Sequence, residues 1–265
     1  MASLAVLMSV YRGTDAGELA VCLQSLAAQT RPADEVVVVL DGQVSEAVME
    51  VLAGFPARLV LLKHNVGLGK ALNAGLETVD SEFVARLDSD DAAYPQRFER
   101  QLEYLAHHPE VAAVGSAVRE FEHRIEDAGP VRALPENPRN YAKMNSPLNH
   151  PSVMFRADAV RQVGSYQHVP FMEDYDLWAR LLSNGWELAN LPEPLTYLRV
   201  NDAQLRRRAA GETRRAELTM QRNLVAYGLV SRPRAVFNFA VRNAYRMLPI
   251  GVTKRVYSRL FHRGQ

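Results

Sequence analysis

With 265 residues, 48% of them hydrophobic, and a formal net charge of +1, the chain is long enough to bury a sizeable core in one large α/β domain, or in one domain plus a small appendage. Its one cysteine, Cys22, excludes an internal disulfide and a cysteine-based metal site, and fits a reducing compartment. No apolar run approaches the roughly 18 residues of a membrane span, and Leu4 to Val10 lacks the charged start and cleavage signals of a secretory leader. A cytoplasmic location is therefore expected.

Ala5 to Tyr11 reads as a buried strand, Arg12-Gly13-Thr14-Asp15 as a loop, and Glu18 to Ala28, with Leu19, Cys22, Leu23 and Leu26 at helical spacing, as a helix. Val36 to Leu40 is a second strand ending at Asp41-Gly42. Helix Glu46 to Leu52, strand Leu59 to Leu62 and helix Gly69 to Thr78 follow. A fourth strand, Glu82 to Leu87, runs into Asp88-Ser89-Asp90-Asp91. This alternation predicts a mostly parallel, Rossmann-like sheet flanked by helices. Ligands of such sheets bind beyond the carboxyl ends of the strands, where Tyr11, Asp41 and Asp88 all lie, so the three are expected at one crevice.

Three acids within four residues repel one another unless a cation, a basic side chain or solvent compensates them. The cluster reads either as an acidic turn ahead of the helix after Tyr94-Pro95 or as a seat for a metal. Farther on, Glu99 to Leu105 reads as helix and Ala112 to Phe121 as strand, followed by a polar surface excursion to about Pro138. Asn149 to Phe155 reads as strand-like. Glu173-Asp174-Tyr175-Asp176-Leu177-Trp178 opens a helix whose first-turn acids suit its dipole.

From Leu218 to Gln265 there are nine Arg and Lys and no Asp or Glu, so with +1 overall the rest of the chain sums to −8. A proline-bounded helix from Arg232 carries Arg234, Asn238, Arg242 and Arg246 on one stripe, with Phe237, Ala240, Val241 and Ala244 opposite. We therefore expect a division into residues 1–217 and a basic amphipathic extension, 218–265, whose partner is an anionic membrane surface. Nucleic acid is not expected, because no recognition module accompanies the basic segment.

Gly67-Leu68-Gly69-Lys70 lacks the spacing of a nucleotide P-loop, since Ala71 follows the lysine, and it lacks the third glycine of a dinucleotide fingerprint. Lys70 at a helix N-terminus remains a candidate phosphate or base contact. Taken in order, several segments together resemble the inverting glycosyltransferases of family 2, with a nucleotide-diphospho-sugar-binding GT-A fold. They are Val10-Tyr11, Leu40-Asp41-Gly42, Asn65 to Gly75, Arg86-Leu87-Asp88-Ser89-Asp90-Asp91, Asn149-His150-Pro151-Ser152, Glu173 to Trp178 and Tyr197-Leu198-Arg199-Val200. The resemblance covers most of the chain and is strongest to the bacterial exopolysaccharide, capsule and lipopolysaccharide enzymes, including those of amylovoran and colanic acid type.

The resemblance implies transfer of a sugar from a nucleotide-diphospho-sugar, a UDP-sugar in this reading, to a glycan or lipid-linked saccharide. Hard carboxylate ligands imply Mn²⁺ or Mg²⁺, held by Asp90 directly, with Asp88 on the ribose or on metal-bound water. Asp41 would accept from the uracil N–H, Tyr11 would line the base, and Lys70 and Arg86 would complete the nucleotide pocket. Asp174 would be the base that deprotonates the acceptor, and Glu173 would orient it or bind sugar. His150 is a sugar contact or a turn residue, and Trp178 a stacking platform or a core residue. Where many relatives carry a metal-binding His after the Tyr-x-Arg segment, this chain has Asn201-Asp202, so Asp202 is a candidate substitute. Arg206, Arg207 and Arg208 beyond it are a solvated run or a lid over the diphosphate. The competing readings are a sugar nucleotidyltransferase, whose Gly-rich, Arg-containing N-terminal loop is missing, and a non-catalytic nucleotide-sugar-binding protein.

Overall fold

The structure, a computed structural model, describes residues 2–200 and 212–246. Its first part alternates as β1 (Leu4–Tyr11), α1 (Ala16–Ala27), β2 (Glu35–Asp41), α2 (Glu46–Ala53), β3 (Arg58–Leu62), α3 (Leu68–Leu76) and β4 (Phe83–Arg86). Strands β3, β2, β1 and β4 lie side by side and are all parallel. Both sheet faces are covered, which is why β1 and β2 read as continuous apolar runs. Successive side chains point to opposite faces. Ala5, Leu7, Val37 and Val39 pack with Ala71, Leu72 and Leu76 of α3, while Val6, Met8 and Val38 pack with Leu19, Cys22 and Leu23 of α1 and Val48 and Leu52 of α2. Asp15 caps α1 by accepting from the Glu18 N–H at 2.9 Å.

The second half supplies β5 (Ala92–Ala93), α4 (Arg97–His107), β6 (Val111–Phe121), β7 (Val131–Arg132), β8 (Met154–Arg156), α5 (Ala157–Gln162), α6 (Glu173–Ser183) and the 13-residue β9 (Glu187–Arg199). The sheet continues from β4 through antiparallel β8 to β6, then to β9 parallel to β6, with β5 antiparallel on the far side of β9. The β5–β9 pair ties the segment just after Asp91 to Tyr197 and Thr196. The expected strand over Asn149 to Phe155 is corrected in its first half: His150–Ser152 is a single 3₁₀ turn, closed by Ser152 N–H donating to the Asn149 carbonyl at 2.8 Å. Pro151 has no N–H to give to a ladder, so only Met154–Arg156 joins the sheet.

Helices α7 (Glu212–Ala226) and α8 (Arg232–Arg246) close the described chain. The boundary expected at 217/218 falls inside α7. Ala216, Met220 and Leu224 of that helix, with Ala235 of α8, share an apolar cluster with Val169, Met172, Tyr175 and Ala179 around α6. Among the described residues no helix is long and apolar enough to cross a membrane.

Candidate active site

The crevice begins where β1 and β2 end. Tyr11 and Asp41 are register partners, and the exposed Tyr11 ring stands at the rim. Asp41 is 4% exposed and accepts from Val66 N–H (2.7 Å), Gly67 N–H (3.1 Å) and the Asn65 side-chain amide (2.9 Å). A carboxylate offers about four acceptor positions, so the loop before α3 occupies most of them. Gly42 permits this approach: its φ is +84°, and a Cβ there would lie 2.8 Å from Asn65 N. Lys70 is exposed in the first turn of α3, where backbone N–H groups favour anions.

Beyond β4, the ligand atoms of Asp88, Asp90 and Asp91 lie within 4.8 Å of one another. Burial, then the Asp88 charge, pushes Asp90 up to about 6. Asp91 is 2% exposed, and burial followed by its two acidic neighbours raises it well above the carboxylate range. One Asp91 oxygen accepts from Arg199 N–H at 2.7 Å, and the other, Oδ2, is buried without a hydrogen-bond partner. Mutually repelling carboxylates with an orphaned oxygen form a hard-donor set suited to Mg²⁺ or Mn²⁺. Basic groups hold the triad from behind. Arg86, 1% exposed, pairs with Asp88; burial opposes its charge, and the Asp88 contact outweighs that and raises the guanidinium. Arg199 donates from Nε to the Asp90 carbonyl at 3.1 Å and pairs with Glu18 at 3.2 Å.

The opposite wall is the start of α6. Glu173 packs on α3: a Cβ on Gly69 would lie 3.1 Å from Glu173 Cγ. Burial raises the Glu173 carboxyl, and the Asp174 charge adds to it. Asp174 is half-buried and accepts from Ser146 Oγ at 3.1 Å. Tyr166 is 4% exposed; its ring hydroxyl is raised by burial and feels Arg86 and the charges of Asp174, Asp88 and Glu173. The hydroxyl pairs with His150 Nε2 at 2.9 Å. Burial and then Arg86 hold His150 well below its ordinary value, so the imidazole is neutral near pH 7.

One expectation changes and one holds. Trp178 is fully buried in the core beneath His150, with ring centroids 6.1 Å apart, so the sugar-stacking role is corrected: no sugar reaches it. Asp176 is likewise fully buried, pairing with Arg180 at 2.7 Å and accepting from Asn223 (2.8 Å) and Tyr227 (2.9 Å) of α7. It fastens α7 to α6, in line with a structural reading. Arg206 and Asp202 lie outside the described residues.

A family model described as glycosyl transferase family 2 matches residues 5–166, more than half of the chain. The chain belongs to glycosyl transferase family 2. This family 2 protein is 39% identical over 259 residues to the amylovoran biosynthesis glycosyltransferase AmsE of Erwinia amylovora, covering 96% of this chain and 97% of that one. It is 31% identical over 266 residues to the UDP-Gal:alpha-D-GlcNAc-diphosphoundecaprenol beta-1,3-galactosyltransferase of Escherichia coli, covering 97% and 96%. Among solved structures, S. aureus TarS 1-349 in complex with UDP-GlcNAc superposes with TM-score 0.65 at 16% identity, covering 83% of this chain and 66% of that one. Of the longer TarS chain this protein spans 39%. The mannosyltransferase PcManGT from Pyrobaculum calidifontis, in complex with GDP-Man and Mn²⁺, superposes with TM-score 0.61 at 17% identity, covering 97% and 79%. The shared architecture is the GT-A fold.

Two residues of this candidate site, Tyr166 and Ser146, carry almost no sequence signal. Tyr166 is delivered by a tight turn with positive φ at Gly164 and Ser165, and Asn73 of α3 clamps its backbone in both directions at 2.8 and 2.9 Å. Only Gly164 hints at that turn in the sequence. Ser146 sits between the polar excursion and the His150 turn and meets Asp174 across 28 positions, a separation no local pattern encodes.

Proposed function

We propose that this glycosyltransferase moves a sugar from a UDP-sugar, with inversion, to a hydroxyl of a lipid-linked saccharide in the synthesis of a bacterial surface polysaccharide. The observation that carries the reading is the clustered acid triad at the end of β4, with Tyr166 near enough to feel the charges of Asp88, Glu173 and Asp174. The names of the amylovoran and galactosyl relatives support the polysaccharide and the lipid diphosphate, and the UDP-GlcNAc complex of TarS supports the donor.

In this reading Tyr11 and the remaining acceptor capacity of Asp41 receive the base, and Lys70 faces the phosphates. Asp88 and Asp90, with Asp91 completing the set, would hold Mn²⁺ or Mg²⁺, which when bound supplies positive charge for the departing diphosphate. Asp174 takes the proton of the acceptor hydroxyl as its oxygen bonds to the anomeric carbon. The bond from that carbon to the diphosphate breaks, UDP leaves, and the proton passes from Asp174 to solvent. Ser146 orients Asp174, while Glu173 and neutral His150 hydrogen-bond sugar hydroxyls. An acceptor carried on lipid puts the enzyme at the inner face of the cell membrane, where its basic C-terminal segment meets anionic headgroups.

The test is incubation with UDP- and GDP-sugars and a short-chain lipid-diphosphate saccharide, with Mn²⁺, Mg²⁺ or chelator. UDP release with product formation is expected, and Asp174→Asn is expected to lower it by about 10²–10⁴-fold with UDP binding intact. Pyrophosphate as the product would identify a nucleotidyltransferase. Turnover unchanged in Asp174→Asn would reject the base.

A further inference from the structure

The sequence puts polar and apolar residues of α8 on opposite stripes, and the structure turns Asn238 and Arg242 of the polar stripe inward. Asn238 is fully buried, donating to the Lys143 carbonyl at 2.8 Å and to Gln221 Oε1 of α7 at 3.1 Å. Arg242 pairs with the fully buried Glu217 of α7 at 2.7 Å and donates to the Met144 carbonyl (2.7 Å) and to Asn145 (2.6 Å). Asn238 and Arg242 of the polar stripe thus fasten α8 to α7 and to the 143–145 turn. The apolar stripe is left outside: Val236 is 70% exposed, Phe237 56% and Val241 37%, and Ala240 and Ala244 are exposed beside them. At about 100° per residue these positions form one face, and every exposed side chain from 235 to 245 belongs to it. Leu218, next to Glu217, is also 40% exposed.

A surface helix of a globular protein normally shows the reverse pattern. We infer that α8 is an interfacial helix whose Val236, Phe237, Ala240, Val241 and Ala244 face enters an anionic lipid surface. The charges around it select that occupant. Arg214, Arg215, Arg222, Arg232 and Arg234 are exposed on α7 and at the start of α8, and the only acid from 214 to 246, Glu217, is buried in its ion pair. Residues 247–265 add Lys254, Arg255, Arg259 and Arg263 and no acid. A second copy docked on this face would set these cations against themselves, and the chain's own last segment would do the same. Anionic headgroups over an acyl interior complement both the exposed positive charge of the helical pair and the apolar face of α8. The inference rests on the lipid-linked acceptor reading for its biological purpose, and on the exposed face for its physics.

The test is co-sedimentation of the full chain with phosphatidylcholine vesicles, with and without phosphatidylglycerol. Wild type is expected to bind the anionic vesicles. The triple variant Val236→Ser, Phe237→Ser, Val241→Ser is expected to bind about tenfold more weakly or worse, with its melting temperature and its UDP-sugar turnover on a soluble acceptor unchanged. In Phe237→Trp the added emission is expected to shift to the blue with anionic vesicles. Binding of the triple variant equal to wild type, or no blue shift, overturns the inference. So does a wild-type dimer that the triple variant converts to monomer, because the face is then an interface between copies. Vesicle binding by a chain that turns over no nucleotide-sugar would leave this inference standing and reject the proposed reaction.

Discussion

The crevice at the ends of β1, β2 and β4 and the helical pair α7–α8 put polar side chains to opposite uses. At the strand ends, Asp88 and Asp90 stay half-buried at the opening, and Lys70 on α3 is exposed. In the helical pair, Asn238, Gln221, Glu217 and Arg242 are turned inward and the apolar residues face out. The difference teaches that position on a strand assigns a residue to a site, because parallel strand direction fixes which end opens. Helical periodicity defines two faces without saying which one meets solvent.

The comparison breaks most visibly at the acids. Asp90→Asn is expected to lower sugar transfer by about 10³-fold, the scale of several kcal/mol of lost leaving-group stabilisation, with the fold unchanged by circular dichroism. Normal turnover in that variant would mean that the triad is only a helix-capping turn. Next comes Arg242→Ala, which takes the guanidinium away from the buried Glu217 carboxylate and is expected to cost about 3 kcal/mol in urea unfolding. Val236→Ser on the other face of the same helix is expected to cost nothing measurable. Equal losses in the two variants would contradict the inverted orientation.

Smaller effects test the proposed role of Asp174. Ser146→Ala removes one hydrogen bond to Asp174, worth about 1 kcal/mol, so kcat is expected to fall about fivefold with KM unchanged. A change confined to KM would place Ser146 in acceptor binding instead. The smallest is a slope. His150 is depressed below its ordinary 6.5 by burial and by Arg86, so the unfolded chain binds a proton that the folded chain refuses. Stability from this group is full above about 6.5 and is lost as pH falls toward the depressed value. His150→Gln is expected to flatten the fall in melting temperature between about pH 7 and pH 5, and an unchanged slope would show that other groups set it.

Much of the site was legible because it lies where strands stop. Tyr11, Asp41 and Asp88 could be placed by counting apolar runs, and Glu173-Asp174 by the helix they open. Trp178 was not legible, since an aromatic at the sixth position of an amphipathic helix fits either a core or a platform, and only its packing under His150 decides. Tyr166 and Ser146 were not legible for a different reason: each reaches the site through partners tens of residues away, Asn73 and Asp174.

The sequence by itself determined the alternating parallel architecture, the acid cluster at its open edge and the excess of positive charge at the C-terminal end, because apolar period, strand direction and composition are local properties of the chain. Tertiary structure alone decided which acids are spent on packing and which face of α8 is exposed. Those outcomes depend on what a side chain meets from elsewhere in the fold: Asp176 meets Asn223 and Tyr227, Asn238 meets Lys143, and the burial of a polar group is affordable only where such a partner waits.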